Sequence, residues 1–211
     1  MPEPAQLDAV TFDANGTLVR LVDPVPALRD LLRRHGVELP AAEVASAFAA
    51  EARYYADHCA SGRDDESLAA LRRDCLGVFL EAAGARLDRG PLLEGYTDAF
   101  SFEILPGVPE TLRRLRGRGL ALAVVSNWDV SMHTRLEELG LAELVDVAIA
   151  SSDAGASKPD PVIFEHALGL LEVAPDRALH VGDSPVDEDG AAAAGMRFAP
   201  VPVTAAFAAW R

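Results

Sequence analysis

Hydrophobic and polar positions along this chain follow two rhythms. Residues 8–12, DAVTF, form a short apolar run with β-branched content and read as a buried strand. From 21 to 102 the spacing changes to three and four residues. PVPALRDLLRRHG, AAEVASAFAAEARYYADHCA, ESLAALRRDCLGVFLEAAGA and GPLLEGYTDAFSF read as four amphipathic helices. Gly36, Pro40, SGRDD at 61–65 and Arg89–Gly90 punctuate them. From 103 onward short apolar runs alternate with helical patterns. LALAVVS, VDVAIA, ALHVG and MRFAPV read as strands. VPETLRRLRGRG, DVSMHTRLEELG, DPVIFEHALGLLE and DEDGAAAAG read as helices, the third with Pro161 in its first turn.

Such alternation predicts an α/β fold, a mostly parallel sheet flanked by helices. The strand at 8–12 belongs with that sheet. Residues 1–20 and 103–211 are therefore expected to form an α/β core domain, and 21–102 an inserted all-α domain. The 211 residues, 50% of them hydrophobic, suffice for one or two cores.

Composition narrows the function classes. A formal charge of −14 argues against nucleic acid and anionic membranes as partners. No run approaches the length of a membrane helix, and MPEPAQLDAV lacks the basic flank and apolar stretch of a signal peptide. Cys59 and Cys75 are the only cysteines, which suggests reduced thiols in a cytoplasmic protein. No cysteine–histidine cluster has zinc spacing. There are eighteen arginines and one lysine, Lys158. Arginine replaces lysine easily on a surface, but not where a compact point charge is needed, so the lone lysine is a candidate site residue.

In open α/β sheets ligands bind beyond the carboxyl ends of the strands. Four such ends carry polar residues here: Asp13; Ser126 and Asn127; the loop leading to Lys158; and Asp183, with Asp187 four residues on. One aspartate after a strand is commonly a helix cap or turn residue. Four ends with matched chemistry are harder to explain that way. A carboxylate at a strand end can act as a nucleophile, clustered carboxylates call for a cation such as Mg²⁺, and Ser126, Asn127 and Lys158 can meet phosphate oxygens.

These residues resemble the haloacid dehalogenase-like hydrolase superfamily. VTFDANGTL matches its first motif, AVVSN its second, SKPDPVIF its third and VGDSPVD its fourth, in the family's order. The resemblance implies a Rossmannoid core and reads the helical insertion as a C1-type cap, as in phosphatase-like members of subfamily I. It makes Asp13 the nucleophile and a Mg²⁺ ligand, with residue 15 offering a backbone carbonyl and Asp183 a direct ligand. Asp187 would bind the metal directly, bind through water, or pair with Lys158. Ser126 and Lys158 would hold the phosphate, with Asn127 assisting. Thr17 would order the first-motif turn and Gly16 allow it. Arg53, Tyr54, Tyr55, His58 and Arg63 are cap candidates for the substrate side. The implied substrate is a small phosphorylated metabolite and the implied assembly a monomer or homodimer.

One position departs from the pattern. Phosphatases of the family carry a second aspartate two residues after the first, which protonates the leaving group and later activates water. Here it is Asn15, which cannot exchange a proton near neutral pH. Losing a general acid–base group typically costs about 10²–10⁴-fold, and less for a good leaving group. Two alternatives follow: a phosphate-binding or regulatory protein with weakened turnover, and a metal-independent 2-haloacid dehalogenase, which the Asp183–Asp187 pair disfavours. A phosphonatase needs a cap lysine, and this chain has none.

Overall fold

The computed structural model describes residues 7–208. In chain order the elements are β1 (Ala9–Phe12), β2 (Val19–Leu21), α1 (Val25–Arg34), α2 (Ala41–His58), α3 (Asp65–Ala82), α4 (Leu93–Thr97), β3 (Phe102–Ile104), α5 (Val108–Arg116) and β4 (Ala121–Ser126). There follow α6 (Ser131–Glu138), β5 (Val147–Ala150), α7 (Ser151–Ala154), α8 (Val162–Leu171), β6 (Ala178–Gly182), α9 (Pro185–Ala193), β7 (Arg197–Pro200) and α10 (Val203–Ala206). No helix among the described residues is long and apolar enough to cross a membrane. The chain divides into two compact units, one of Met1–Arg20 with Glu103–Arg211 and one of Leu21–Phe102.

The first unit is built on a five-stranded sheet in the order β5-β4-β1-β6-β7, with every pairing parallel. Sheets covered on both faces need strands that are apolar on both sides, and this is why AVTF is buried throughout and ALHVG likewise. Alternate residues feed one face: Ala9, Ala123, Val125 and Ile149 pack with Ile163, Phe164, Ala167 and Leu168 of α8. On the other face the Phe12 ring meets Phe207 edge to face, with centroids 6.3 Å apart. Strand β1 lies between β4 and β6, and Phe12 is in register with both Val124 and Val181. The order of the strands reverses between β1 and β6, the switch point at which such sheets bind ligands.

The second unit packs α1 to α4 around Leu28, Leu32, Val44, Leu76, Phe79, Leu92 and Tyr96. Asp64 caps α3 by accepting from Ser67 N, and the Ser67 hydroxyl in turn accepts from Asp64 N. One sequence expectation changes here. The pattern at 90–102 predicts one helix, but α4 ends at Thr97 and Phe102 begins a strand. Gly90, Pro91 and Gly95 weaken a helix there, and β3 pairs with β2 instead. That ribbon, together with the four-residue helices α7 and α10, was absent from the sequence reading because such short segments carry no periodicity.

Candidate active site

Asp13 directly follows β1. Its N–H donates to Val181 O of β6 at 2.9 Å, so the strand end is tied to the switch point. The chain then turns on one carbonyl: Ala14 O accepts from Thr17 N, Leu18 N and Val19 N, and Gly16 N donates to Val19 O at 2.7 Å. Gly16 takes φ +92°, which L side chains rarely adopt, so glycine is needed there. Thr17 takes part in this turn through its main-chain N–H. Its hydroxyl is buried and has no hydrogen-bond partner among the described residues; the main chain makes the turn.

Ser126, at the end of β4, donates to Asp13 Oδ1 at 3.0 Å. Lys158 Nζ lies 2.6 Å from the same Asp13 oxygen and 2.6 Å from Asp187 Oδ1. Its side chain is only 2% exposed, so this is a buried ion-pair cluster and not a surface contact. No hydrogen bond falls on Asp13 Oδ2 among the described residues.

Asp187, in the first turn of α9, is saturated. Its Oδ1 accepts from Lys158 and from His180 Nε2 at 3.2 Å; its Oδ2 accepts from Ser184 N at 3.1 Å and Ser184 Oγ at 2.5 Å. A carboxylate offers about four lone-pair sites, and four donors fill them. Of the three roles open to Asp187, the structure forms the pairing with Lys158. Burial pushes the Asp187 carboxyl up, but the hydrogen bond from His180, the charge of Lys158 and the bonds from Lys158 and Ser184 outweigh it and hold it below the usual carboxylate range.

Asp183 sits at the tip of β6 and is exposed. Burial of its carboxyl, then the charges of Asp13 and Asp187, push its pKa up. Carboxylate oxygens of Asp13, Asp183 and Asp187 lie within 4.8 Å of one another. Two glycines permit this crowding. A Cβ on Gly16 would stand 2.0 Å from Asp183 Oδ2, and one on Gly182 would stand 2.4 Å from Asp187 Cγ. An oxygen-only set with excess negative charge suits a hard divalent cation. Asp13 and Asp183 are the residues with capacity for it.

Two site contributors escaped the sequence reading. His180 lies in mid-strand, fully buried, against Phe164. Burial holds its pKa down despite the hydrogen bond to Asp187. A carboxylate only accepts, so Nε2 carries the proton, and Nδ1 accepts from the Thr11 hydroxyl at 2.8 Å. Thr11 and His180 are register partners. The available signal was a polar residue inside each of two otherwise apolar strands.

Asn127 is not turned to the carboxylates. Its side-chain amide bonds the main chain of Lys158. Asn15 is exposed, and its main chain bridges to Val19. In the helical unit the Tyr54 ring stacks on His58, with centroids 4.0 Å apart, and Arg63 Nε donates to Ala60 O. Tyr54 and Tyr55 pack partly on the helical core, and Arg53 is exposed.

The comparisons bear on the family. The model of the haloacid dehalogenase-like hydrolases matches residues 7–195. Haloacid dehalogenase-like hydrolase domain-containing protein 3 of Bos taurus is 36% identical over 201 residues, covering 90% of this chain and 80% of that protein. A phosphoserine phosphatase of Thermus thermophilus is 36% identical over 122 residues, 56% of this chain and 49% of that protein. A HAD phosphatase from Thermococcus onnurineus superposes with a TM-score of 0.58 at 29% identity, covering 91% of this chain and 85% of that one. A 2-haloacid dehalogenase from Pseudomonas syringae gives 0.64 at 26%, covering 97% and 100%. Motif order, the parallel sheet and these likenesses coincide: the chain belongs to the haloacid dehalogenase-like hydrolase family and is a hydrolase of that superfamily.

Proposed function

We propose that this protein is a Mg²⁺-dependent phosphatase acting on a small phosphorylated metabolite through an aspartyl-phosphate on Asp13. The observation that carries this reading is the buried chain Ser126–Asp13–Lys158–Asp187 with Asp183 close by. Lys158 and Ser126 engage one oxygen of Asp13 and leave the other clear to attack phosphorus. The phosphorus–leaving-group bond breaks and the leaving group takes its proton from solvent; water then attacks phosphorus, the bond from phosphorus to the Asp13 oxygen breaks, and the proton of the water passes to solvent. Lys158 and Ser126 supply positive charge and a hydrogen bond where charge develops. Asp13, Asp183 and the carbonyl of residue 15 would hold Mg²⁺, which neutralises phosphate charge. Asp187 serves by fixing Lys158. The phosphatase-named relatives support the substrate class.

The test is hydrolysis of nitrophenyl phosphate with Mg²⁺ by wild type and Asp13→Asn. Equal rates remove the reading. Asn15 favours one second reading, a phosphate-binding protein with little turnover. That reading expects calorimetric binding of phosphate without an aspartyl-phosphate burst. The likeness to a dehalogenase is met by one assay, chloride release from a 2-haloacid in EDTA. The acidic pair Asp183–Asp187, with its surplus of negative charge, counts against a metal-free site of that kind.

A further inference from the structure

Lys158 sits in an irregular stretch between α7 and α8, outside any helix or strand. A buried ammonium 2.6 Å from each of two carboxylates needs a fixed main chain behind it. The sheet does not provide one, since Lys158 belongs to no ladder. Asn127 does. Lys158 N donates to Asn127 Oδ1 at 2.7 Å, and Asn127 Nδ2 donates to Lys158 O at 3.0 Å. One side-chain amide thus exchanges two hydrogen bonds with one residue, as a bonded residue pair does in an antiparallel ladder. The orientation of the amide is settled by chemistry: a main-chain N–H must face an oxygen and a main-chain carbonyl must face a donor. The neighbouring residue, Ser126, bonds Asp13 itself. Consecutive residues at the end of β4 therefore hold the attacking carboxylate and the backbone of its cation.

We propose that Asn127 is a positioning residue whose amide clamps the main chain of Lys158 and so sets where the ammonium lies against Asp13, and that it does not bind the phosphate itself. The kinetic arm of the test rests on the phosphatase reading; the spectroscopic arm does not.

Lys158 is the only lysine of the chain, so protein labelled with ¹³C and ¹⁵N in lysine alone gives a single lysine side-chain signal. In wild type it should stand apart from that of a solvated lysine. Asn127→Ala, and the nearly isosteric Asn127→Asp, should shift it and slow nitrophenyl phosphate hydrolysis about 10²-fold, the order expected for misplacing a charged group by about 1 Å. Asn127→Asp keeps an acceptor for Lys158 N, loses the donor to Lys158 O and adds a negative charge, so Asn127→Ser, which keeps a neutral polar side chain too short to bridge both groups, is measured beside it. These two carry the test if Asn127→Ala does not fold by circular dichroism. In a Lys158→Ala background, Asn127 substitution should cost no further affinity for inorganic phosphate, measured by calorimetry with Mg²⁺, because groups that act through one another are non-additive. A wild-type lysine signal in a folded Asn127 variant overturns the proposal, whatever happens to the rate. Equal losses of phosphate affinity with and without Lys158 also overturn it, since Asn127 would then touch the phosphate. Absence of turnover in wild type removes the phosphatase reading and leaves the lysine signal to decide this one.

Discussion

Replacing Gly16 with alanine separates backbone strain from damage to the proposed metal site. Gly16 has φ +92°, and Gly119, between α5 and β4 in the same unit, has φ +81°. An alanine in that region of conformational space costs about 1–2 kcal/mol at either position. The surroundings differ. A Cβ on Gly119 meets nothing within 4 Å, whereas one on Gly16 falls 2.0 Å from Asp183 Oδ2, 2.6 Å from Asp183 Cγ and 3.2 Å from Asp183 Oδ1. All three contacts are with one exposed carboxylate, which can swing away. Its off-rotamer cost is about 0.5–1.5 kcal/mol, a further fall of about 1–6 °C in melting temperature for a chain of this size. The proposed metal site should feel far more. Moving Asp183 displaces one of two carboxylates with capacity for Mg²⁺, and disturbing even the supporting shell of a metal ligand costs about 10–100-fold in affinity. Gly16→Ala should therefore need at least about tenfold more Mg²⁺ for half-maximal nitrophenyl phosphate hydrolysis, while Gly119→Ala should titrate as wild type. Calorimetric titration with Mg²⁺ checks the same point without turnover. Equal Mg²⁺ dependence in both variants would falsify the placement of Asp183 at the metal.

Three further outcomes follow from the same geometry. Asn15→Asp should raise hydrolysis of alkyl phosphates by about 10²-fold or more and that of nitrophenyl phosphate by less; equal gains for both esters mean that position 15 is not the missing acid. Lys158→Arg keeps the charge but puts a broad planar guanidinium where Nζ fits between two carboxylates at 2.6 Å each. It should lose about 10²-fold in kcat, and full activity there would show that charge alone suffices. Glu51 is buried in the helical unit, and burial pushes its carboxyl up from 4.5, with Tyr96 and Cys75 pulling the other way by less. Its folded pKa lies above its unfolded one, so its stabilising contribution is full below pH 4.5 and falls as the pH rises through the raised value. Thermal scans should show wild type losing ground to Glu51→Gln as the pH rises; parallel curves would mean that Glu51 is ionised in the folded unit.

The sheet was legible because parallel strands buried on both faces print as unbroken apolar runs. AVTF, ALAVVS and ALHVG were found within a residue or two of their ends. Since such sheets carry chemistry at their carboxyl ends, Asp13, Ser126, Lys158, Asp183 and Asp187 could be named from position alone. The roles were less visible than the residues. Asp183 and Asp187 are the same residue type four positions apart, and only a count of donors separates them: Asp187 has four and Asp183 receives none from another side chain. Asn127 and Lys158 are 31 residues apart, and β2 meets β3 across 83 residues through the exposed pair Arg20–Glu103, so neither contact leaves a local pattern. Thr11 and His180 were hidden because a single polar residue in an apolar strand has no period.

The same count of donors bears on Asn15. At formal charges, three carboxylates and one ammonium leave two negative charges, the complement of one Mg²⁺. Under the Mg²⁺ reading, Asp13 and Asp183 would be taken up as ligands of the cation. Asp187 is held ionised by Lys158, His180 and Ser184 and has no lone pair to spare. No carboxyl of this cluster is then left to protonate a departing alkoxide in place of residue 15. On the phosphatase reading the burden falls on the leaving group, and the ratio of rates on nitrophenyl and alkyl phosphates, with its collapse in Asn15→Asp, would measure what the asparagine withholds.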